Sequence, residues 1–179
     1  IVRAVELPVT ADLETGYAAD AAGVRRTLAR ALECGVVGCN LEDSVVGTDR
    51  LRDADEQAAR LAAARAAADA VGTRLFVNAR TDVFFLAAPE APMAESIDEA
   101  LRRARLYAAA GASGLFVPGL ADERGIARLA AESPLPLNVM VSAGTPPLAR
   151  LAELGVARVS HGPGPYRRMM TELTAAAKT

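Results

Sequence analysis

The chemically capable residues of this sequence collect where short apolar runs end. The stretch "LPVTADLETGYA", residues 7–18, places Asp12 and Glu14 two apart at the end of one such run. If Thr10-Ala11-Asp12-Leu13-Glu14 is a strand, alternation turns both carboxylates to the same side. Two carboxylates side by side repel, and neither ionises comfortably without a cation or a proton between them. A second run, "VGCNLEDS", ends on Asn40, Glu42 and Asp43, and a third, "FVNARTD", on Asn78, Arg80 and Asp82. Later runs give Asn138, then Ser160 and His161. Asp12, Glu14 and Glu42 make a hard, all-oxygen set of the kind Mg2+ prefers, and Mn2+ accepts the same ligands. With one histidine in the chain, zinc is a poor fit.

Each of these residues also has a plainer reading. The acids can pair with arginines or cap helix N-termini. Arg80 can form a salt bridge, or act as a fork that grips a substrate carboxylate or phosphonate. His161 is either a structural hydrogen bonder or a side chain that faces a site, and Tyr17 either packs or donates to substrate. There is no GxSxG elbow and no Ser/His/Asp or Cys/His arrangement of note.

One rhythm positions these residues. A helix ends at a glycine, a short β-branched strand follows, and polar residues come after it. It runs through "ALECGVVGCNLEDS", "ADAVGTRLFVNARTD", "AAAGASGLFVPGLAD" and "LAELGVARVSHGPGP", with a weaker copy in "ESPLPLNVMVSAG". Gly35, Gly72, Gly111 and Gly155 suit the left-handed position that ends a helix. The strands read as near-continuous apolar runs, which implies a parallel sheet covered on both faces. Helices are expected at about 21–33, 53–71, 97–110, 123–132, 147–154 and 166–177. Ser96 with Glu99 reads as a capping box, and Asp122 and Thr145 read as N-caps. Residues 87–94, "AAPEAPMA", read as a mobile loop. Six strands alternating with helices fit either a (β/α)8 barrel or an open doubly wound sheet, and both place sites at the carboxyl ends of their strands. No GxGxxG follows the first strand, which weakens the dinucleotide-binding version.

Composition bounds the rest. The 179 residues, 51% hydrophobic and 23% charged, suit one domain over 1–179. A net charge of -2 and a pI near 5.5 give no sign of a nucleic-acid or membrane-surface partner. No apolar run reaches ~18 residues, so no membrane span is expected. Cys34 and Cys39 lack a CxxC pattern and read as two small buried hydrophobes in a reducing cytoplasm. "IVRAVELP" looks like a helix end running into a strand, so upstream residues are expected to be missing.

Taken together, the motifs resemble the isocitrate lyase/phosphoenolpyruvate mutase superfamily. "PVTADLETGYA" is similar to its "D-x-D/E-x-G-Y/F-G" strand and turn, "VGCNLEDS" to its "G-x-x-x-E-D" strand, and "VNARTDVF" to its "ARTDA" strand. "EALRRARLYAAAGASGLFVPG", "LPLNVMV" and "GVARVSHGPGPYR" resemble the segments that follow, in order, over nearly the whole chain. The resemblance implies a (β/α)8 TIM barrel whose first one or two βα units are absent from this chain. It also implies a homo-oligomer, a dimer or tetramer with a swapped C-terminal helix. It implies Mg2+, or Mn2+, at Asp12, Glu14 and Glu42, and an acid-binding role for Arg80. Gly16 and Tyr17 lie on a substrate-holding turn, and Asn138 and His161 are further substrate-binding candidates. Arg80, Glu42 and Tyr17 are the catalytic candidates.

The implied activity is cleavage of a C–C or P–C bond in a small 2-oxo or 2-hydroxy acid through a metal-stabilised enolate. The alternatives are a phosphonopyruvate or oxaloacetate hydrolase, or a non-catalytic barrel that binds small dicarboxylates. The chain departs from the family in "EDSVVGTDRLRD", which lacks both the lyase branch's "K-K-C-G-H" and the mutase branch's "E-D-K-x-x-P-K". It departs again at Glu14, where many relatives carry Asp.

Overall fold

The computed structural model describes residues 1–88 and 90–178. After a 3-10 turn at Val2–Ala4 come six strands: β1 (Thr10–Asp12), β2 (Gly38–Glu42), β3 (Phe76–Arg80), β4 (Gly114–Val117), β5 (Leu137–Met140) and β6 (Arg158–Ser160). Seven helices intervene or follow: α1 (Ala21–Glu33), α2 (Ala54–Asp69), α3 (Val83–Leu86), α4 (Met93–Ala109), α5 (Glu123–Glu132), α6 (Leu148–Glu153) and α7 (Gly164–Ala176). All strand pairs are parallel, and their order in the sheet is their order in the chain. A doubly wound sheet needs a reversal of strand order, and the six described strands show none. The sheet curls into a half-barrel with β1 and β6 at its edges.

The sheet's two faces differ in kind. Cys39, Leu41, Val77, Ala79, Leu115, Val117, Leu137 and Val139 are buried in one apolar cluster with Val24, Leu28, Leu61, Leu101, Ile126 and Leu129 of the helices. The alternating positions carry Asn40, Glu42, Asn78, Arg80, Phe116 and Asn138, which face the other way. Burial between helices on both faces, expected from the apolar runs, is therefore corrected. The convex face is apolar and the concave face is polar, because a barrel wall is covered by helices only on the outside.

Several local signals hold. Gly35, Gly72, Gly111 and Gly155 all have φ between 66° and 89°, where a Cβ would be strained. Asp122 caps α5 by accepting from the Gly125 N–H at 2.6 Å. Two other cap expectations fail. α4 begins at Met93, so Ser96 lies inside it, and Glu99 instead pairs with Arg102 and Arg103. α6 is preceded by Pro147, while Thr145 accepts from the Ser142 N–H in the turn before it. Asp20 and Asp53 cap α1 and α2. Of the segment 87–94, Met93 and Ala94 belong to α4, and Pro89 lies outside the described residues. Among the described residues no helix is long and apolar enough to cross a membrane.

The cysteines also part company. Cys39 is buried on the apolar face, whereas Cys34 is exposed, against the expectation of two buried thiols. Burial pushes the Cys39 thiol up to about 12. Iodoacetamide at pH 8 should therefore modify Cys34 alone in the native protein, and both cysteines in guanidinium. Mass spectrometry of the intact chain reads the count.

Candidate active site

The strand pairing builds the site in layers. Glu42, Arg80, Phe116 and Asn138 are successive register partners across β2, β3, β4 and β5, so their side chains stand in one row on the concave face. Arg80 donates through Nε and Nη2 to the two carboxylate oxygens of Asp82, at 2.6 and 3.0 Å. Its Nη1 pairs with Glu42 Oε2 at 2.8 Å, and Ser44 donates to Glu42 Oε1 at 2.8 Å. The rings of Phe85 and Phe116 lie with their centroids 5.8 and 6.0 Å from the guanidinium carbon. Burial lowers the Arg80 pKa, but the Asp82 fork and the Glu42 pair outweigh it and hold the guanidinium firmly charged. Burial also pushes Glu42 up, and Arg80 only partly offsets that.

The adjacent row is Asp12, Asn40, Asn78 and Gly114. Asn78 donates to Asn40 Oδ1 at 2.8 Å, and Asn40 reaches Asp12 Oδ2 at 3.4 Å. Asp12 Oδ1 accepts from the backbone N–H of Glu14 at 3.0 Å. Strand β1 stops at Asp12, and Glu14 takes φ 50°, so strand alternation does not orient the Asp12/Glu14 pair. The Glu14 carbonyl still joins the sheet, accepting from the Glu42 N–H at 2.8 Å. Gly16 (φ 80°) packs against Leu41 and Val24, and Tyr17 (φ 50°) is exposed.

Behind the row lies a buried network. Asp43 is fully buried and accepts from three donors: the Asp82 N–H at 3.0 Å, Arg103 Nη1 at 3.1 Å and the Tyr107 hydroxyl at 2.7 Å. Burial outweighs these donors and pushes Asp43 up; it pushes the Tyr107 phenol up as well. Asp43 thus fixes the backbone of Asp82, which in turn holds Arg80. Arg103 and Tyr107 carry no motif of their own in the sequence. Their only trace was the spacing Glu99, Arg103, Tyr107, four apart on α4.

The structure brings together Asp12, Glu42 and Arg80, with Asp82 added. It also sets Asn138 in the Arg80 row, although on β5. His161, exposed beyond β6, stands at the opposite sheet edge from Asp12. Among the described residues no three acid, histidine or cysteine side chains are gathered ready to hold a metal ion. The donor chemistry nonetheless suits a hard divalent cation. Arg80 feels three carboxylates, Asp82, Glu42 and Asp12, so the cluster is short of positive charge. Buried Asn78 Oδ1 and Asn138 Oδ1 also lack donors among the described residues, and would accept from water or a hydroxyl. After Asp43 the chain folds into a small hairpin, with Ser44 bridging Leu51 and the Val45 N–H bonding the Arg50 carbonyl.

Comparison with known proteins matches residues 1–179 to the phosphoenolpyruvate phosphomutase family. An oxaloacetate decarboxylase of Ectopseudomonas mendocina is 34% identical over 176 residues, covering 93% of this chain and 56% of that protein. A solved structure from Burkholderia cenocepacia, provisionally described as a phosphonomutase, is 58% identical with a TM-score of 0.95, over 99% of this chain and 71% of that one. A phosphonopyruvate hydrolase solved with oxalate and Mg2+ shares the fold, with 23% identity and a TM-score of 0.71, over 97% of this chain and 62% of that one. The chain spans 56–60% of the length of the first curated relatives it matches.

Removing the Asp43 carboxylate leaves the Arg103 guanidinium buried beside a phenol with no acid but Glu99. Asp43→Ala should cost about 3–5 kcal/mol, the usual penalty for breaking a buried pair. Asp43→Asn should cost less, since it keeps an acceptor for the Asp82 N–H. Urea denaturation of the three proteins tests this order.

Proposed function

This chain belongs to the isocitrate lyase/phosphoenolpyruvate mutase superfamily, and on that premise we propose that it is part of a cytoplasmic (β/α)8-barrel lyase. The reaction is cleavage of a C–C or P–C bond in a small 2-oxo or 2-hydroxy acid. The observation that carries this reading is the row of Glu42 and Arg80, at the ends of β2 and β3, with Asn138 near the start of β5, and Asp12 one layer away. Charged and amide groups fill the concave face where a merely structural sheet would be apolar. In this reading βα units beyond the six seen here complete the wall.

Asp12, Glu14 and Glu42 would hold Mg2+ or Mn2+, in part through water. When bound, the cation supplies positive charge against the oxygen on which the enolate's negative charge develops. The chain's own residues do the remainder. Three of Arg80's five N–H donors are committed to Asp82 and Glu42, and the other two are left for the substrate's acid group. Asp82 keeps the guanidinium from swinging away. Asn138 Oδ1, buried and without a donor among the described residues, accepts from a substrate hydroxyl, and the exposed Tyr17 closes over the acid from the β1 turn. Phe85 and Phe116 exclude water from one side of Arg80 and strengthen its hold. The loop after Asp43 carries neither the lyase branch's cysteine nor the mutase branch's lysines, so the preference for C–C over P–C cleavage rests on the oxaloacetate decarboxylases among the relatives.

Proton NMR of the intact protein with Mg2+ and a panel headed by oxaloacetate, 2-methylisocitrate and phosphonopyruvate tests the activity. Turnover of one acid, reduced on the order of 100-fold in Asp12→Ala, is expected. A silent panel, or turnover indifferent to Asp12→Ala, would sink the reading.

We also assign α7 to a contact with a second copy. None of its described residues is buried, yet Tyr166, Met169, Met170 and Leu173 recur at helical spacing on one face. Met169→Lys with Leu173→Lys should convert the oligomer to a monomer in sedimentation velocity without unfolding it.

A further inference from the structure

Arg60 stands apart from the other buried charges. It lies on α2, on the apolar side of the sheet, and is fully buried. It has no carboxylate partner at ion-pair distance among the described residues. Instead it donates to three backbone carbonyls of one turn: Nη2 to Thr15 and Ala18, at 2.5 and 3.0 Å, and Nη1 to Ala19 at 3.1 Å. Burial pulls its pKa down, so the site bears the cost of a desolvated cation.

That turn holds the only non-glycine residues with positive φ among the described residues. Glu14, Gly16 and Tyr17 all occupy the left-handed region within four residues, and two of them carry a Cβ. Such a run persists only where its surroundings hold it. On one side it is tied to the sheet, through Leu13 N–H to Asn40 O and Glu42 N–H to Glu14 O. On the other side the fastening is Arg60. The planar guanidinium spans carbonyls four residues apart, which an apolar side chain cannot do.

We propose that Arg60 is a positioning residue. From behind the sheet it locks residues 14–19 into the left-handed turn that presents Glu14, Gly16 and Tyr17 to the site, and so sets the site's affinity for its acid ligand. The first part stands on geometry alone; the second rests on the acid-binding reading above.

Hydrogen exchange by mass spectrometry separates the two. In intact Arg60→Met, the peptide covering residues 13–20 should exchange at least about 10-fold faster than in the wild type, while peptides from β3 and α4 keep their rates. Arg60→Lys should fall between. Leu61→Ala removes a fully buried neighbour on the same helix and serves as the control: it should lower the denaturation midpoint and leave 13–20 unchanged. The second readout is calorimetry with oxalate as the probe, in Mg2+, below the midpoint of every variant. Arg60→Met should weaken oxalate about 10-fold or more, Arg60→Lys less, and Leu61→Ala not at all. Wild-type exchange at 13–20 in Arg60→Met overturns the proposal, as does equal acceleration in Leu61→Ala. Unchanged oxalate affinity in Arg60→Met also overturns it, provided the wild type binds oxalate. If the wild type binds none, the acid-binding reading is what fails, and exchange alone judges the clamp.

Discussion

The in-register parallel pairing of β2 with β3 governs the rest of the molecule. It sets Asn40 beside Asn78 and Glu42 beside Arg80. Because side chains alternate, the same pairing sends Cys39, Leu41, Val77 and Ala79 to the helices. A slip of one residue would turn the charged row into the apolar core and expose the leucines. Register therefore couples the stability of the fold to the geometry of the site. The hydrophobic drive that seats Leu41 and Val77 against α1 and α2 also fixes which polar groups meet on the concave face.

Three arginines in or near that wall are satisfied in three different ways. Arg80 pairs with Glu42 and Asp82 and lies close to the rings of Phe85 and Phe116, which keeps it charged and oriented at the end of β3. Arg103 is spent behind the site, on Asp43 and Glu99, and through Asp43 it steadies the chain at Asp82. Arg60 has no carboxylate at ion-pair distance among the described residues; it donates to backbone carbonyls instead and steadies the β1 turn. Only Arg80 stands where a ligand could reach it. The other two hold its surroundings from the apolar side, where low dielectric makes each hydrogen bond count for more.

The legible part of the fold was the part with a local physical cause. Helix-ending glycines need a left-handed residue, and Gly35, Gly72, Gly111 and Gly155 supplied it. α1 and α5 match their expected spans, since each has a cap and an amphipathic face. Ser96 and Thr145 have capping chemistry but cap no helix, because a cap also depends on where the chain turns. α4 starts a turn earlier than its Ser–Glu pair suggested, and Glu99 finds arginines on its own helix. Short α3 carries no periodic signal at four residues, so it stayed hidden, although its Phe85 lies against Arg80.

By itself the sequence determined that Asp12, Glu42 and Arg80 end their strands, because the turn chemistry and apolar runs that mark those ends are local; the amides Asn40, Asn78 and Asn138 lie inside their strands instead. It also carried the motifs of the superfamily to which the chain belongs. Tertiary structure alone decided which of those groups meet. Glu42 pairs with Arg80 through the register, Glu14 leaves the strand through a left-handed turn, and Asp43 turns inward to Arg103 and Tyr107, sixty and more residues away. Such contacts depend on how strands and helices pack across the sheet, and no spacing along the chain encodes that.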